Sequence, residues 1–320
     1  MTYTAKNIEV FFFAHDRAEM LRQAIDCYFN QTVQGARLVL LANAPTPDVL
    51  DVAREYAAKG VELVYEPKSL NVFGCVQRCR ELASRAITVM AHDDDLIHPA
   101  YLETLLKAYN QIPELNVAIS AMGDWNDNPF GAEYHTQCAV LKNVSEFSAY
   151  IFLGHSFTFS SASYLTKTLK LAPAPDFSTY GKVQDVPFML EACMDGAAAV
   201  LQYPFIKYRV HMAQDCQTFS TGPTAKQWLA LELLHQKQMS SDGNNLRRAY
   251  ALNAFHFLRV GWRDWCRCEH GKMTFAEFLN LALDRGVLTM GQRFAGWLVR
   301  GGIRQKILNQ LFCYNTVDLQ

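Results

Sequence analysis

The chain has 320 residues, half of them hydrophobic and 19% charged, which allows a sizeable packed core and argues against disorder. Its formal net charge of −1 gives no basis for general nucleic-acid binding. The charge is uneven: residues 225–320 carry 13 Lys/Arg against 7 Asp/Glu, and residues 1–224 carry 17 against 24.

Ile8 to Ala14 reads as a buried strand, β-branched and aromatic, and the polar His15-Asp16-Arg17 follows it. Asp16, with Glu19 three residues on, predicts a helix start, and Leu21, Ala24, Ile25, Tyr28 and Phe29 recur at helical spacing. Arg37 to Ala42 is a second strand, Asn43 to Pro47 a turn, and Val49 to Ala58 a helix. Val61 to Tyr65, a helix from Val72 to Arg85, and Ile87 to Ala91 continue the alternation. Pro99 opens another helix, and Asn116 to Ser120 is a fifth strand. Strands alternating with helices over short connections predict an α/β fold, a mostly parallel sheet with helices on both faces. In such sheets ligands lie beyond the carboxyl ends of the strands. From Asp124 to Phe219 the pattern is less regular, with Ala197 to Val210 as one or two strands around Pro204. From Thr224 on the periodicity is helical, around Trp228 to Leu234, Ala249 to Trp262 and Phe275 to Leu283, with no strand pattern. The expected division is a catalytic α/β domain over 1–223 and a helical C-terminal region over 224–320.

Nine cysteines are scattered without a Cys-x-x-Cys pair or a zinc-like His spacing. They read as reduced, mostly buried thiols in a cytoplasmic protein. The apolar run at Ile8 is too short and too acidic for a signal peptide, and no run approaches a membrane span.

Met90-Ala91-His92-Asp93-Asp94-Asp95 places three carboxylates at the end of the fourth strand. Adjacent aspartates repel one another, and a divalent cation relieves that repulsion. Mg and Mn take oxygen ligands and share them with substrate phosphates. A solvated turn, or a cap for the helix at Pro99, is the competing reading.

At this segment the chain resembles the inverting family 2 glycosyltransferases, of the kind that builds bacterial surface polysaccharide. "MAHDDDLIHPAYLE" is similar to their Asp-x-Asp segment. "VFFFAHDRAEMLRQAIDCYFNQT", "LVLLANAPTPDVL", "NVFGCVQRC", "VQDVPFMLEAC" and "YRVHMAQDCQT" resemble further family segments in the family order, from Ile8 to Thr218. The departures are His92 for a first acidic residue, Ala42 for an acidic base reader, and Ala14-His15 for Tyr-Asn.

The resemblance implies a GT-A-like fold and a nucleoside-diphosphate-sugar donor, with a UDP-sugar first in order. It further implies transfer with inversion to a saccharide or lipid-linked acceptor, assisted by Mn or Mg. Asp94, Asp95 and His211 would hold the cation. Ala14, Arg17, Asn43, Asn71, Gly74 and Asp93 would bind the nucleotide-sugar. Asp185 would be the base that takes the acceptor proton. Each has a plainer reading: Asn43 as a turn residue, Gly74 as a helix-start glycine, Arg17 as a solvated first-turn residue, Asp185 as a helix N-terminal acid. His92 reads as a hydrogen-bonding neighbour or an unusual ligand.

Gln292 to Phe312 sets Arg293, Arg300, Arg304 and Lys306 among Phe294, Trp297, Leu298, Ile303, Ile307, Leu308 and Leu311. This reads either as an interfacial helix attracted to anionic lipid or as a packed helix with a basic face. A glycosyltransferase-like scaffold without turnover is the main rival to the enzyme reading. A nucleotidyltransferase is weaker, for want of glycines after the first strand.

Overall fold

The structure, a computed structural model, describes residues 2–124, 130, 133–154, 162–209, 225–264, 273–289, 292 and 302–320. The first strand, β1 (Ile8–Ala14), is buried along its length apart from Phe13, which is half-buried. Alternate residues enter different cores. Ile8, Val10 and Phe12 pack on one face of the sheet and Phe11 on the other. A strand covered on both faces has no polar side to show, which is why its sequence is apolar apart from Glu9.

α1 (Ala18–Phe29), β2 (Arg37–Asn43), α2 (Pro47–Ala57), β3 (Glu62–Glu66), α3 (Val72–Leu82), β4 (Ile87–His92), β5 (Leu96–Ile97), α4 (Tyr101–Gln111) and β6 (Leu115–Asp124) follow in order. β7 (Gln137–Leu141), α5 (Val144–Phe152), β8 (Ala162–Leu165), α6 (Thr166–Leu171), α7 (Phe177–Tyr180), α8 (Asp185–Cys193) and β9 (Ala197–Tyr208) come next. The last described part holds α9 (Ala225–Ser241), α10 (Gly243–Asp264), α11 (Phe275–Asp284), α12 (Gly302–Leu311) and β10 (Asn315–Asp318).

The strands form one mixed sheet in the order β10-β7-β9-β6-β8-β4-β1-β2-β3, with β5 against β9. The β4-β1-β2-β3 half is parallel. Beyond it β8 runs antiparallel between β4 and β6, while β6 and β9 pair in parallel. α1, α2 and α4 supply the core on one face. α3, α5 and α8 cover the other face, in one hydrophobic cluster with α9 and α10. The helical C-terminal region thus shares its core with the sheet.

β10 corrects the expectation of a tail without strands. Its four residues are exposed and pair antiparallel with β7 at the sheet edge. Backbone pairing alone defines such a strand, so Asn-Thr-Val-Asp carries no burial alternation to read.

A buried acid at the far end of β1 needs separating from the acids of the site. Glu9 accepts the Ser84 and Arg85 N–H groups and the Thr88 hydroxyl, and pairs with Arg37 at 2.7 Å. With its charge matched and its oxygens hydrogen-bonded, it ties β1 to the start of β4.

Candidate active site

Strand register builds the site. Ala14 at the end of β1 lies beside Ala42 of β2, and Phe13 lies beside His92 of β4. The carboxyl ends of three parallel strands therefore meet where the acidic segment leaves β4. Asp93, Asp94 and Asp95 are all buried, Asp93 completely.

Arg17 closes this cluster from the start of α1. One guanidinium nitrogen pairs with Asp93 and another lies 2.6 Å from Asp94 Oδ2. Burial pushes the Asp93 carboxyl up to about 6, against the pull of Arg17. Removing one partner from a buried pair costs about 3–5 kcal/mol, so Arg17 and these acids hold each other in place. This replaces the expected start of α1: Arg17 occupies the cap position with no side-chain cap. Asp16 does not cap the helix.

Asp95 also departs from a capping role. Ala100 precedes the first turn of α4, and Asp95 Oδ1 accepts the Arg209 N–H at 3.1 Å. Arg209 in turn donates to Gln23 of α1 at 2.7 Å. The end of β9 is therefore fastened to the acidic segment, a link with no local signal in the sequence.

His92 Nδ1 lies 3.9 Å from Asp94 Oδ1. One ligand atom each from His92, Asp94 and Asp95 lie within 4.8 Å of one another, so the three can share a cation. Two carboxylates and an imidazole suit Mn, and Mg less well. His92, read from sequence as a neighbour or an unusual ligand, stands in this group. His211 and its segment lie outside the described residues.

Asp185 is the first residue of α8 and Oδ1 accepts the Val186 N–H at 3.0 Å. Protein surrounds the carboxyl while some of the residue's surface stays open. Burial pushes its pKa up to about 6, partly offset by the Val186 N–H and by the nearby His92. Three residues on, Phe188 packs edge-on against Phe73 of α3 and Tyr164 of β8, at 5.6 and 5.7 Å. This wedge fixes the helix that carries Asp185. Before it, Gly181 has φ +47°, and a Cβ there would meet the Gln227 side chain of α9 at 2.0 Å. The loop leading to Asp185 is thus shaped by glycine and backed by the C-terminal region.

The remaining expected residues line the strand ends in supporting roles. The Asn43 amide donates to the Leu70 carbonyl at 2.9 Å and accepts the Leu70 N–H at 2.7 Å. It pins the loop after β3. Asn71 caps α3 through the Gly74 N–H at 2.8 Å. A Cβ on Gly74 would lie 3.0 Å from the Leu70 Cβ, so glycine lets that loop close on the helix. His15, which sequence reasoning left without a role, contacts the Asn43 carbonyl at 2.7 Å through Nδ1.

Residues 10–165 match the model for Glycosyl transferase family 2. The fold matches TarS 1-349 of S. aureus in complex with UDP-GlcNAc, with TM-score 0.62, 12% identity, and coverage of 90% of this chain and 83% of that one. A longer S. aureus TarS chain matches at TM-score 0.60 and 13% identity, over 94% of this chain and 52% of that one. The mannosyltransferase PcManGT from Pyrobaculum calidifontis, in complex with GDP-Man and Mn2+, matches at TM-score 0.52 and 14% identity, over 94% and 85%. No curated protein matches the sequence. Fold and family match define the class: this is a glycosyltransferase of GT-A-like fold. The match to the family 2 model covers residues 10–165, just under half of the chain.

Proposed function

We propose that the enzyme moves a sugar from a nucleoside-diphosphate donor to a saccharide or lipid-linked acceptor hydroxyl, with inversion and with help from Mn or Mg. One observation carries this reading. His92, Asp94 and Asp95 form a cation-sized group at the end of β4, where three parallel strands end together. Bound there, the cation would act as a Lewis acid that stabilises the departing diphosphate. Arg17 adds positive charge at the same edge.

Asp185 takes the proton from the acceptor hydroxyl as its oxygen bonds to the anomeric carbon. The bond from that carbon to the diphosphate breaks on the opposite side, so configuration inverts. A carboxyl pushed up to about 6 is a better proton acceptor than an ordinary aspartate and is still ionised near neutral pH. Ala14, Asn43, Asn71 and Gly74 shape the loops that would border the nucleotide. Asp93, sealed behind Arg17, would act on the donor through that arginine. UDP is the first base to test, since TarS was solved with UDP-GlcNAc; GDP is the second, since PcManGT was solved with GDP-Man.

The test is a thermal-shift panel of nucleoside diphosphates with and without Mn2+. A ligand at a hundredfold excess over its Kd adds about 2.7 kcal/mol of stability. UDP or GDP should raise the melting temperature, and more so with Mn2+. No shift with any nucleoside diphosphate would contradict the reading.

A scaffold without turnover has no observation in its favour. The cytoplasmic, membrane-peripheral placement belongs to this proposal. Among the described residues no helix is long and apolar enough to cross a membrane. On α12, Ile303 and Ile307 are exposed beside exposed Lys306, while Leu308 is buried. Such a face suits contact with an anionic bilayer. Arg293, Phe294, Trp297, Leu298 and Arg300 of the same segment lie outside the described residues.

A further inference from the structure

We infer that Arg17 is a displaceable occupant of the cation position, and that a diphosphate opens this position by drawing Arg17 off Asp94. The inference rests on the proposed cation and diphosphate site, and adds a residue that couples the two ligands.

Asp94 is claimed twice. Its Oδ2 lies 2.6 Å from the Arg17 guanidinium, and it also belongs to the His92, Asp94 and Asp95 group. A divalent ion entering that group meets a fixed positive charge already bound to one of its ligands, and like charges at such range repel. The cation alone should therefore bind weakly.

The three partners differ in freedom. The Asp93 and Asp94 side chains are 0% and 5% exposed, whereas Arg17 is 26% exposed at the mouth of the cluster. Arg17 also precedes the first turn of α1 and has non-helical backbone angles. It is the member that can turn without unpacking the core.

A guanidinium has several donors in one plane and can hold a carboxylate with one edge and a phosphate with another. Its two nitrogens already reach different carboxylates. Keeping Asp93 as an anchor and exchanging Asp94 for a phosphate oxygen preserves both of its charge contacts. Asp94 is then released to the cation, and the diphosphate supplies the negative charge that screens the cation from Arg17. Cation and nucleotide must then favour each other by the same factor, as linkage requires.

The test measures Mn2+ binding by the electron paramagnetic resonance of the free ion, without and with saturating UDP or GDP. No turnover is involved. In the wild type the nucleotide should tighten Mn2+ binding at least ~10-fold, about 1.4 kcal/mol. Arg17→Gln should bind Mn2+ alone more tightly than the wild type and lose most of the coupling. If Arg17→Gln melts below the assay temperature, Arg17→Lys carries the same test. A single ammonium bridges two carboxylates less well, so its coupling should also fall. Unchanged coupling in the folded variant, or weaker Mn2+ binding without nucleotide, overturns the inference and leaves the cation site standing. A wild type that binds no Mn2+ even with UDP or GDP overturns both.

Discussion

Asp93 and Asp185 are both carboxyls that burial pushes up to about 6, yet they have different surroundings. Asp93 is sealed and paired with Arg17, so it serves to hold that arginine. Asp185 is half-buried as a residue and its carboxylate accepts a backbone N–H, which is compatible with the proposed role as base. A base works only when ionised, so its activity rises with pH through its own pKa. The acidic limb of kcat/KM should therefore fall near pH 6, well above the ordinary aspartate value of 3.8. A rate-against-pH profile from pH 4.5 to 8 checks this; a limb centred near 4 would remove the argument from burial. Asp185→Asn should keep nucleotide binding and lose transfer by roughly 100-fold or more, since general-base catalysis contributes about that much. A variant transferring at near wild-type rate would mean that another residue takes the proton.

At the scale of elements, the parallel half was legible from sequence because β1, β2 and β4 are largely buried and read as mostly apolar runs, interrupted only by Glu9 and Thr88 between their ends. β7, β8 and β10 were not: β8 and β10 have only four residues each, and β7 and β8 fall where strand and helix no longer alternate regularly. The acidic segment was legible by its composition. The Arg17 bridge and the Asp95 to Arg209 bond were not, because they join residues 77 and 114 positions apart. Asn43 was legible as a polar residue at a strand end, but its use as a loop clamp depends on where Leu70 comes to lie.

The helices behind the sheet carry their own test. Glu232 of α9 is wholly buried beside Tyr250, and burial raises its pKa well above the ordinary 4.5. In the fold it stays neutral where the unfolded chain would ionise it. Its contribution is fully present below about 4.5 and is lost as pH rises. Glu232→Gln removes the ionisation and keeps the shape. It should melt a few degrees above the wild type at pH 8 and close to it at pH 4. A scan at both values decides: equal shifts at the two values would show that Glu232 does not titrate in this way.

For the whole molecule, the charge asymmetry of the sequence acquires a location. Part of the +6 of residues 225–320 lies on helices packed behind the sheet, and on α12 Ile303, Lys306 and Ile307 are exposed. Each basic residue near an anionic surface contributes roughly 1 kcal/mol. The protein should pellet with anionic vesicles at low salt, and Arg304→Glu with Lys306→Glu should weaken this by roughly 30-fold or more. Deleting the tail is a poorer test, because β10 pairs with β7 and Leu319 is buried. Equal pelleting with neutral vesicles would count against an electrostatic contact.

The proposed activity is cleavage of a nucleoside-diphosphate sugar at the end of β4. It is tested most directly by following UDP or GDP release from a panel of UDP- and GDP-sugars, with Mn2+ and then with excess chelator, in the wild type and in Asp94→Asn. Release should need the metal and fall at least ~100-fold in the folded variant, about 2.7 kcal/mol of lost transition-state stabilisation. Release that persists undiminished in excess chelator, or in Asp94→Asn, would contradict it.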